Sequence, residues 1–125
     1  MKHVIQTSSA PAAVGPYSQA IDCGDIVFCS GQIPLVPETG LMVEGGIEEQ
    51  ARQMFANIKA VLAAAGLGFE DVVKTTVFMT DLSQFAVLNS IYAEYFPGNP
   101  PARSCVEVSA LPKGALVECE VIAKR

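Results

Sequence analysis

Apolar and polar residues follow two periodicities along the chain, and these predict both helices and strands. From Ile47 to Ala65, apolar residues recur at three- and four-residue spacing, which is typical of an amphipathic helix, and Gly66 then provides a common helix end. A second helix is predicted over 82–96. Strands are predicted where apolar and polar residues alternate or β-branched residues cluster: 17–21, 26–30, 72–79, 101–107 and 116–122.

The alternating run 101–107 follows a Pro- and Gly-rich stretch that cannot continue a helix. It places Arg103, Cys105 and Glu107 on one face. A short loop separates it from 116–122, so the two runs together predict an antiparallel hairpin. A symmetric register would set Cys105 opposite Glu118 and Arg103 opposite Glu120. This face is either a binding site for one small molecule or a solvated surface with an ordinary ion pair, and the alternation is compatible with both.

Two other features have more than one interpretation. Gly31 directly follows an apolar strand, where a glycine allows either a close approach of another group or a β-bulge. The second helix carries an apolar stripe that we interpret as core: Phe85, Leu88, Tyr92 and Tyr95.

The predicted order of elements is ββαβαββ, which implies a mixed sheet with both helices on one face, an α+β fold. A chain of 125 residues is expected to form one domain, residues 1–125. Hydrophobic residues make up 50% of the chain and charged residues only 17%. We therefore expect the uncovered face of the sheet to be buried by self-association.

The charge balance narrows the classes of partner. The net charge is −5 and there is no basic run, which disfavours nucleic-acid and anionic-membrane binding. No stretch approaches the roughly 20 apolar residues of a membrane span, and the N-terminus does not have the pattern of a signal peptide. We expect a cytoplasmic protein whose four cysteines are free thiols, with Cys23, Cys29 and Cys119 in the core or in a turn.

Much catalytic chemistry has no candidate residues. The only histidine is His3, no C-x-x-C pair exists, and there is no phosphate-binding glycine loop. These absences predict no metal site, no nucleotide cofactor and no histidine-based triad. The remaining groups are an arginine, carboxylates, hydroxyls and a thiol, which suit binding of a small carboxylate and activation of water.

Six parts of the chain carry recognisable motifs: Ala13–Gln19, Ser30–Pro34, Val73–Phe78, Pro101–Val108, Leu111–Gly114 and Glu118. Together they resemble the RidA (YjgF-type) family of reactive-intermediate deaminases, and the resemblance runs essentially end to end. The resemblance implies a chorismate-mutase-like α+β fold and a homotrimer whose sheets line a central barrel, with clefts between adjacent subunits. It also implies hydrolysis of 2-imino acids to 2-keto acids and ammonia. Such imines arise from enamines released by pyridoxal-phosphate dehydratases.

The same resemblance implies roles for individual residues. Arg103 would bind the substrate carboxylate with a bidentate fork, which a lysine does not reproduce. Glu118 would hold or deprotonate the attacking water. The backbone N–H of Cys105 would help to fix the substrate. The other implied site residues close or line the cleft: Tyr17, Ser30, Gly31 and Phe85.

Other functions remain open at this point. The first is a non-enzymatic keto-acid sensor or chaperone-like trimer, in which Arg103 binds the ligand and Glu118 is only an ion-pair partner. The second is a cysteine-based function at Cys105, although no histidine is available to activate the thiol. The third is an RNA-directed role, which the net charge of −5 disfavours. A chorismate mutase of the same fold has little support from a single candidate arginine.

Overall fold

Two helices cover one face of a six-stranded mixed sheet in the computed structural model, which describes residues 2–125 and leaves Met1 outside. The strands lie in the order β1-β2-β3-β6-β4-β5. Three short 3-10 turns connect these elements: Phe69–Asp71, Leu82–Gln84 and Pro112–Gly114. The strands and helices are β1 His3–Ile5, β2 Ala20–Asp22, β3 Ile26–Gln32, α1 Ile47–Ala64, β4 Val72–Met79, α2 Phe85–Tyr95, β5 Ala102–Glu107 and β6 Val117–Lys124.

The predicted helix–strand–helix segment is confirmed. Helix α1 ends one residue before the predicted end, and Gly66 follows with φ +76°, which a residue with a side chain rarely adopts. The N–H of Leu67 bonds to the carbonyl of Leu62, and the N–H of Gly66 to that of Ala63. Strand β4 has the predicted bounds. The second helix begins with a 3-10 turn that Asp81 caps, so its α-helical part is shorter than predicted.

The N-terminal region differs from its prediction. Of the predicted strand 17–21, only residues 20 and 21 lie in a strand, β2, which pairs with β3. Strand β2 also pairs on its other side with β1, a strand that the pattern did not predict. The side chain of Gln19 ties the residues just before β2 to the N-terminal loop. Its amide oxygen accepts from the backbone N–H of Thr7 and its Nε2 donates to the carbonyl of Thr7, while the Gln19 backbone carbonyl accepts from the N–H of Ser30 on β3.

The core lies between the sheet and the helices. It joins the inner side chains of β4 and β6 to the apolar faces of α1 and α2. Cys29 and Cys119 are buried in it, as predicted, and Cys23 is exposed in a turn. No helix within residues 2–125 is both long enough and apolar enough to cross a membrane.

The predicted C-terminal hairpin is wrong. Strand β5 pairs in parallel with β4, and β6 lies between β3 and β4, antiparallel to both. The segment 108–116 is too long for a tight hairpin, and it carries the chain across the end of β4. Both of its ends bond there: Val108 N–H to the carbonyl of Met79, and Thr80 N–H to the carbonyl of Leu116.

This topology decides which side chains share a face. Arg103 lies opposite Thr75 and Cys105 opposite Val77, and both partners face the helices. Glu118 lies opposite Phe78, on the face without helices. That open face carries exposed apolar side chains, among them Phe28 at 48% and Val106 at 43% exposure. An uncovered sheet face was predicted and is confirmed for the single chain.

Candidate functional site: two half-sites on opposite faces of the sheet

A cleft of about 470 Å³ lies where the end of β3, the N-terminal loop and the start of β6 meet. Four of the seven predicted site residues line this cleft, which we call the carboxylate cleft: Tyr17, Ser30, Gly31 and Glu118. Pro112 and Lys113 line it from the loop before β6. A volume of this size accommodates a small organic acid together with water.

Gly31 provides the space for the Glu118 side chain. A Cβ built on Gly31 would lie 2.5 Å from Oε2, 3.0 Å from Cδ and 3.2 Å from Cγ of Glu118. The register between β3 and β6 also shifts between Cys29 and Gln32. Both interpretations of Gly31 therefore hold, because the glycine lies in a bulge and lets the carboxylate pack against its backbone.

The electrostatic surroundings of Glu118 favour a carboxyl that can exchange protons. Partial burial raises the pKa of Glu118 above its ordinary value, and the negative charge of Glu120 raises this pKa further. Both effects disfavour the charged form. A carboxylate with a raised pKa accepts a proton more readily, as a general base requires.

The N-terminal wall of the carboxylate cleft is fixed by hydrogen bonds. Gln19 is 3% exposed, and its Nε2 donates to the carbonyls of Thr7 and Pro11 at 3.1 and 2.8 Å. The Ser30 hydroxyl donates to the carbonyl of Ser18 at 2.6 Å. Tyr17 remains 53% exposed beside this anchored loop. Gln19 belongs to the quoted motif, but its anchoring role had no signal in the sequence pattern.

Arg103 lies in a second cluster, which we call the guanidinium cradle and which consists of Phe85, Asn89 and Tyr92 on α2. The guanidinium carbon lies 4.6 Å from the ring centre of Tyr92 and 5.3 Å from that of Phe85. Nη1 donates to Oδ1 of Asn89 at 2.8 Å. Tyr92 is in turn held by a 2.8 Å hydrogen bond between its hydroxyl and that of Thr75. These contacts fix the plane of the guanidinium.

Sequence reasoning found Phe85 but missed Asn89 and assigned Tyr92 to the core alone. The helical spacing of the three cradle residues, four and then three positions, contains the signal, because it places them on one face. Asn89 was overlooked since it interrupts an apolar stripe with a polar side chain. Tyr92 is indeed 5% exposed, but its ring also forms the floor under Arg103.

Cys105 lies on the same strand as Arg103, partly buried against the core. Burial raises the pKa of its thiol, and the positive charge of Arg103 offsets this only in part. The thiol is therefore a poor nucleophile at neutral pH. Within residues 2–125, no three His, Cys, Asp or Glu side chains lie close enough together to hold a metal ion.

The carboxylate cleft and the guanidinium cradle do not form one site within a single chain. Strands β6 and β5 flank β4, so they lie about 10 Å apart at the ordinary strand spacing. Glu118 and Arg103 also point to opposite faces. The predicted pairs Cys105–Glu118 and Arg103–Glu120 are both wrong, because β5 and β6 are not neighbours. Each cluster is a candidate half-site with one kind of chemistry.

Comparisons with known proteins identify the family. A family model described as Endoribonuclease L-PSP matches residues 7–125. The structure of YyfA from Yersinia pestis, a member of the conserved Rid protein family, has 56% identity and a TM-score of 0.97, with 100% of each chain covered. The chain belongs to the RidA (YjgF-type) family.

Two further relatives of this RidA-family chain have informative names. The mouse protein named 2-iminobutanoate/2-iminopropanoate deaminase is 47% identical over 123 residues, which cover 98% of this chain and 91% of the mouse chain. The crystal structure of Escherichia coli TdcF with bound serine has 46% identity and a TM-score of 0.94, with 98% of each chain covered. The family and the α+β fold were both predicted correctly.

Proposed function

We propose that the protein is a hydrolytic deaminase that converts 2-imino acids to 2-keto acids and ammonia, at sites shared between subunits of a homotrimer. One observation carries the proposal. The carboxylate cleft and the guanidinium cradle have complementary chemistry but lie on opposite faces of one sheet, so only a second copy can bring them together. The names of the mouse relative and of the serine-bound TdcF structure agree with a small amino-acid-like ligand.

The exposed apolar residues of the open sheet face support self-association. Phe28 is 48% exposed and Val106 43% exposed, on the face that also presents Glu118 and Ser30. Packing three such faces against each other would bury these side chains and bring the carboxylate cleft of one subunit to the edge strand β5 of the next. In this arrangement, Arg103 of one chain meets Glu118 of its neighbour.

The proposed reaction needs a cation for the substrate carboxylate and a base for water. Arg103 binds the carboxylate through charge-assisted hydrogen bonds. Glu118 takes a proton from water as its oxygen forms a bond to the imine carbon. The carboxyl returns this proton to the nitrogen, which gives a carbinolamine. The hydroxyl proton of the carbinolamine then passes through the same carboxyl to the nitrogen, the C–N bond breaks as the C=O bond forms, and ammonia and the 2-keto acid leave. The raised pKa of Glu118 suits both proton transfers.

The other predicted site residues have supporting roles in this proposal. Strand β5 is the outer strand of the sheet, so alternate backbone N–H groups point away from β4, and that of Cys105 is assigned to the substrate. Tyr17 closes the cleft with its exposed ring and hydroxyl. Ser30 and Gly31 form the wall beside Glu118. Phe85 contributes an apolar surface next to Arg103.

The proposed substrates are 2-iminobutanoate and 2-iminopropanoate. These form from the enamines 2-aminocrotonate and 2-aminoacrylate, which pyridoxal-phosphate dehydratases release. We place the activity in the cytoplasm beside such dehydratases, where its removal of imines would protect other pyridoxal-phosphate enzymes. Neither half-site requires a cofactor for this hydrolysis.

The decisive experiment follows 2-ketobutyrate release. A threonine dehydratase is supplied with threonine, and product formation is measured with and without this protein. The wild type should accelerate release. Arg103→Ala should lose roughly 10²- to 10⁴-fold in rate, because two charge-assisted hydrogen bonds of about 1.5–3 kcal/mol each disappear. Arg52→Ala removes another exposed arginine, bound to Glu94, and is the matched control.

Oligomeric state is measured for every variant by size-exclusion chromatography with light scattering. A wild-type rate for Arg103→Ala, with an unchanged assembly, would refute the role of Arg103 in binding the substrate carboxylate. No acceleration by the wild type would favour the non-enzymatic ligand-binding trimer. Glu118→Gln separates the two functions further, since keto-acid binding should survive in both, while turnover falls only in a deaminase.

The family description Endoribonuclease L-PSP raises an RNA-directed activity as a second possibility. The chain has 8 basic and 13 acidic residues, and a nucleic-acid surface requires clustered positive charge. In the carboxylate cleft, Lys113 is the only basic residue among those that line it within residues 2–125. The deaminase remains the function that the half-sites support best.

A further inference from the structure

The three arginines of the chain differ in the charge of the side chains that hold them. Arg52 donates from both Nη atoms to Glu94 and lies 3.5 Å from Glu48 through Nε. Arg125 pairs with Asp22. Arg103 alone, among the described residues, is held by a neutral side chain, the amide oxygen of Asn89. No carboxylate lies within ion-pair distance of it in residues 2–125.

This difference determines what each guanidinium can still bind. Each nitrogen of the Arg52 guanidinium already faces a carboxylate, which compensates its positive charge. In contrast, Arg103 donates only Nη1 to Asn89, so the Nε–Nη2 edge stays available as a bidentate fork. The amide fixes the orientation of the guanidinium and removes none of its charge. A carboxylate at position 89 would also accept this hydrogen bond, but it would compete with an incoming anion.

The aromatic rings alone leave one degree of freedom. Tyr92 and Phe85 lie within 4.6 and 5.3 Å of the guanidinium carbon, so they restrict its plane. Rings do not select which edge of the guanidinium points outward, because the attraction to an aromatic face is not directional within the plane. The Nη1 hydrogen bond to Asn89 supplies that selection.

We propose that Asn89 is a positioning residue, which holds the Arg103 guanidinium with its free edge outward while leaving its full positive charge for a carboxylate ligand. The expected effect of Asn89 on turnover rests on the proposed deaminase function, whereas its effect on the orientation of the Arg103 guanidinium does not. Asn89 has the i+4 position from Phe85 and precedes Tyr92 by one turn, so α2 presents all three groups to β5.

The test compares the wild type with Asn89→Ala, Asn89→Asp and the control Asn99→Ala, which changes an exposed asparagine outside the cradle. Rotation of the Arg103 guanidinium is measured by ¹⁵N NMR, and its signals are assigned by their loss in Arg103→Lys. Affinity for 2-ketobutyrate is measured by calorimetry on the intact assembly. Steady-state imine hydrolysis then separates KM from kcat.

Asn89→Ala should speed guanidinium rotation and weaken 2-ketobutyrate binding about tenfold, the lower end of the range for one hydrogen bond to a charged group, because the lost bond is made to Arg103 and not to the ligand. KM should rise by a similar factor, and kcat should stay within about twofold of the wild-type value, because Asn89 positions Arg103, which binds the substrate carboxylate, and does not act on the attacking water. Asn89→Asp should keep rotation slow yet weaken binding, since its charge competes with the ligand. Asn99→Ala should match the wild type.

Unchanged rotation and affinity in Asn89→Ala would overturn the proposal. If Asn89→Asp binds 2-ketobutyrate with wild-type affinity, then the side chain at position 89 does not need to be uncharged, and that part of the proposal is wrong. A wild type that binds 2-ketobutyrate but hydrolyses no imine would refute the deaminase function. The measurements of guanidinium rotation and of affinity for 2-ketobutyrate would still test the role of Asn89. The rotation measurement requires no ligand, so it is decisive even if no keto acid binds.

Discussion

Gly31→Ala tests how closely the reaction depends on the position of the Glu118 carboxylate. The added methyl group would lie 2.5 Å from Oε2, whereas unstrained contacts of this kind are about 3.5 Å. The carboxylate must therefore withdraw by about 1 Å. A displacement of 1 Å at a reacting group can cost about 10²-fold in rate, so kcat should fall by roughly that factor.

The assay is imine hydrolysis coupled to a dehydratase, together with thermal unfolding of each variant. Gly46→Ala is the matched control, because a Cβ at Gly46 meets no atom within 4 Å and its φ of −98° suits alanine. This control should keep the wild-type rate. Gly31→Ala should also unfold near the wild-type temperature, since the clash is with the end of a movable side chain and not with backbone.

A wild-type kcat in Gly31→Ala would refute the reasoning, because it would mean that the carboxylate can move 1 Å without consequence. A double variant makes the test stricter. If Gly31→Ala acts only by displacing Glu118, then adding it to Glu118→Gln should cause little further loss. Independent, additive losses would instead point to a direct role of the Gly31 backbone.

Three further predictions concern acidity, the thiol and the core. In the pH profile of kcat/KM, the acid limb should lie at a pH above 4.5, the ordinary carboxyl pKa, because burial raises the pKa of Glu118 and the base works only when it is deprotonated. Glu120→Gln should move this limb to lower pH, since it removes a negative charge that raises the pKa of Glu118. An acid limb that is unaffected by Glu118→Gln would contradict the assignment. Cys105→Ser should retain near-normal turnover, since a thiol with a raised pKa supplies almost no thiolate at neutral pH. Loss of activity with an intact assembly would instead support the cysteine-based function. Phe55→Ala should lower the free energy of unfolding by about 3–5 kcal/mol in denaturant titrations, because Phe55 is fully buried among four other aromatic rings. A decrease of less than about 1 kcal/mol would contradict this packing.

Local periodicity was sufficient to predict most elements and the helix-covered sheet. The spacing of Met54, Ile58 and Leu62 defines the buried side of α1, and the β-branched run of β4 has its predicted bounds. The family motifs, in turn, led to residues that lie in two coherent clusters. Asn89 was missed because a polar residue on a mainly apolar helix face is uninformative without knowledge of the strand that packs beside it.

Strand partners could not be predicted from alternation, and this is where the reasoning failed. Alternation correctly places Arg103 and Cys105 on one face and Val117 and Cys119 on one face, but it does not say which strands are neighbours. The hairpin assumption would have put Arg103 and Glu118 within reach of one substrate in a single chain. Because β6 instead lies between β3 and β4, these two groups point to opposite faces. In the proposed enzyme, therefore, the insertion of one strand makes assembly a requirement for catalysis, since neither subunit alone can bind the carboxylate and activate the water at the same place.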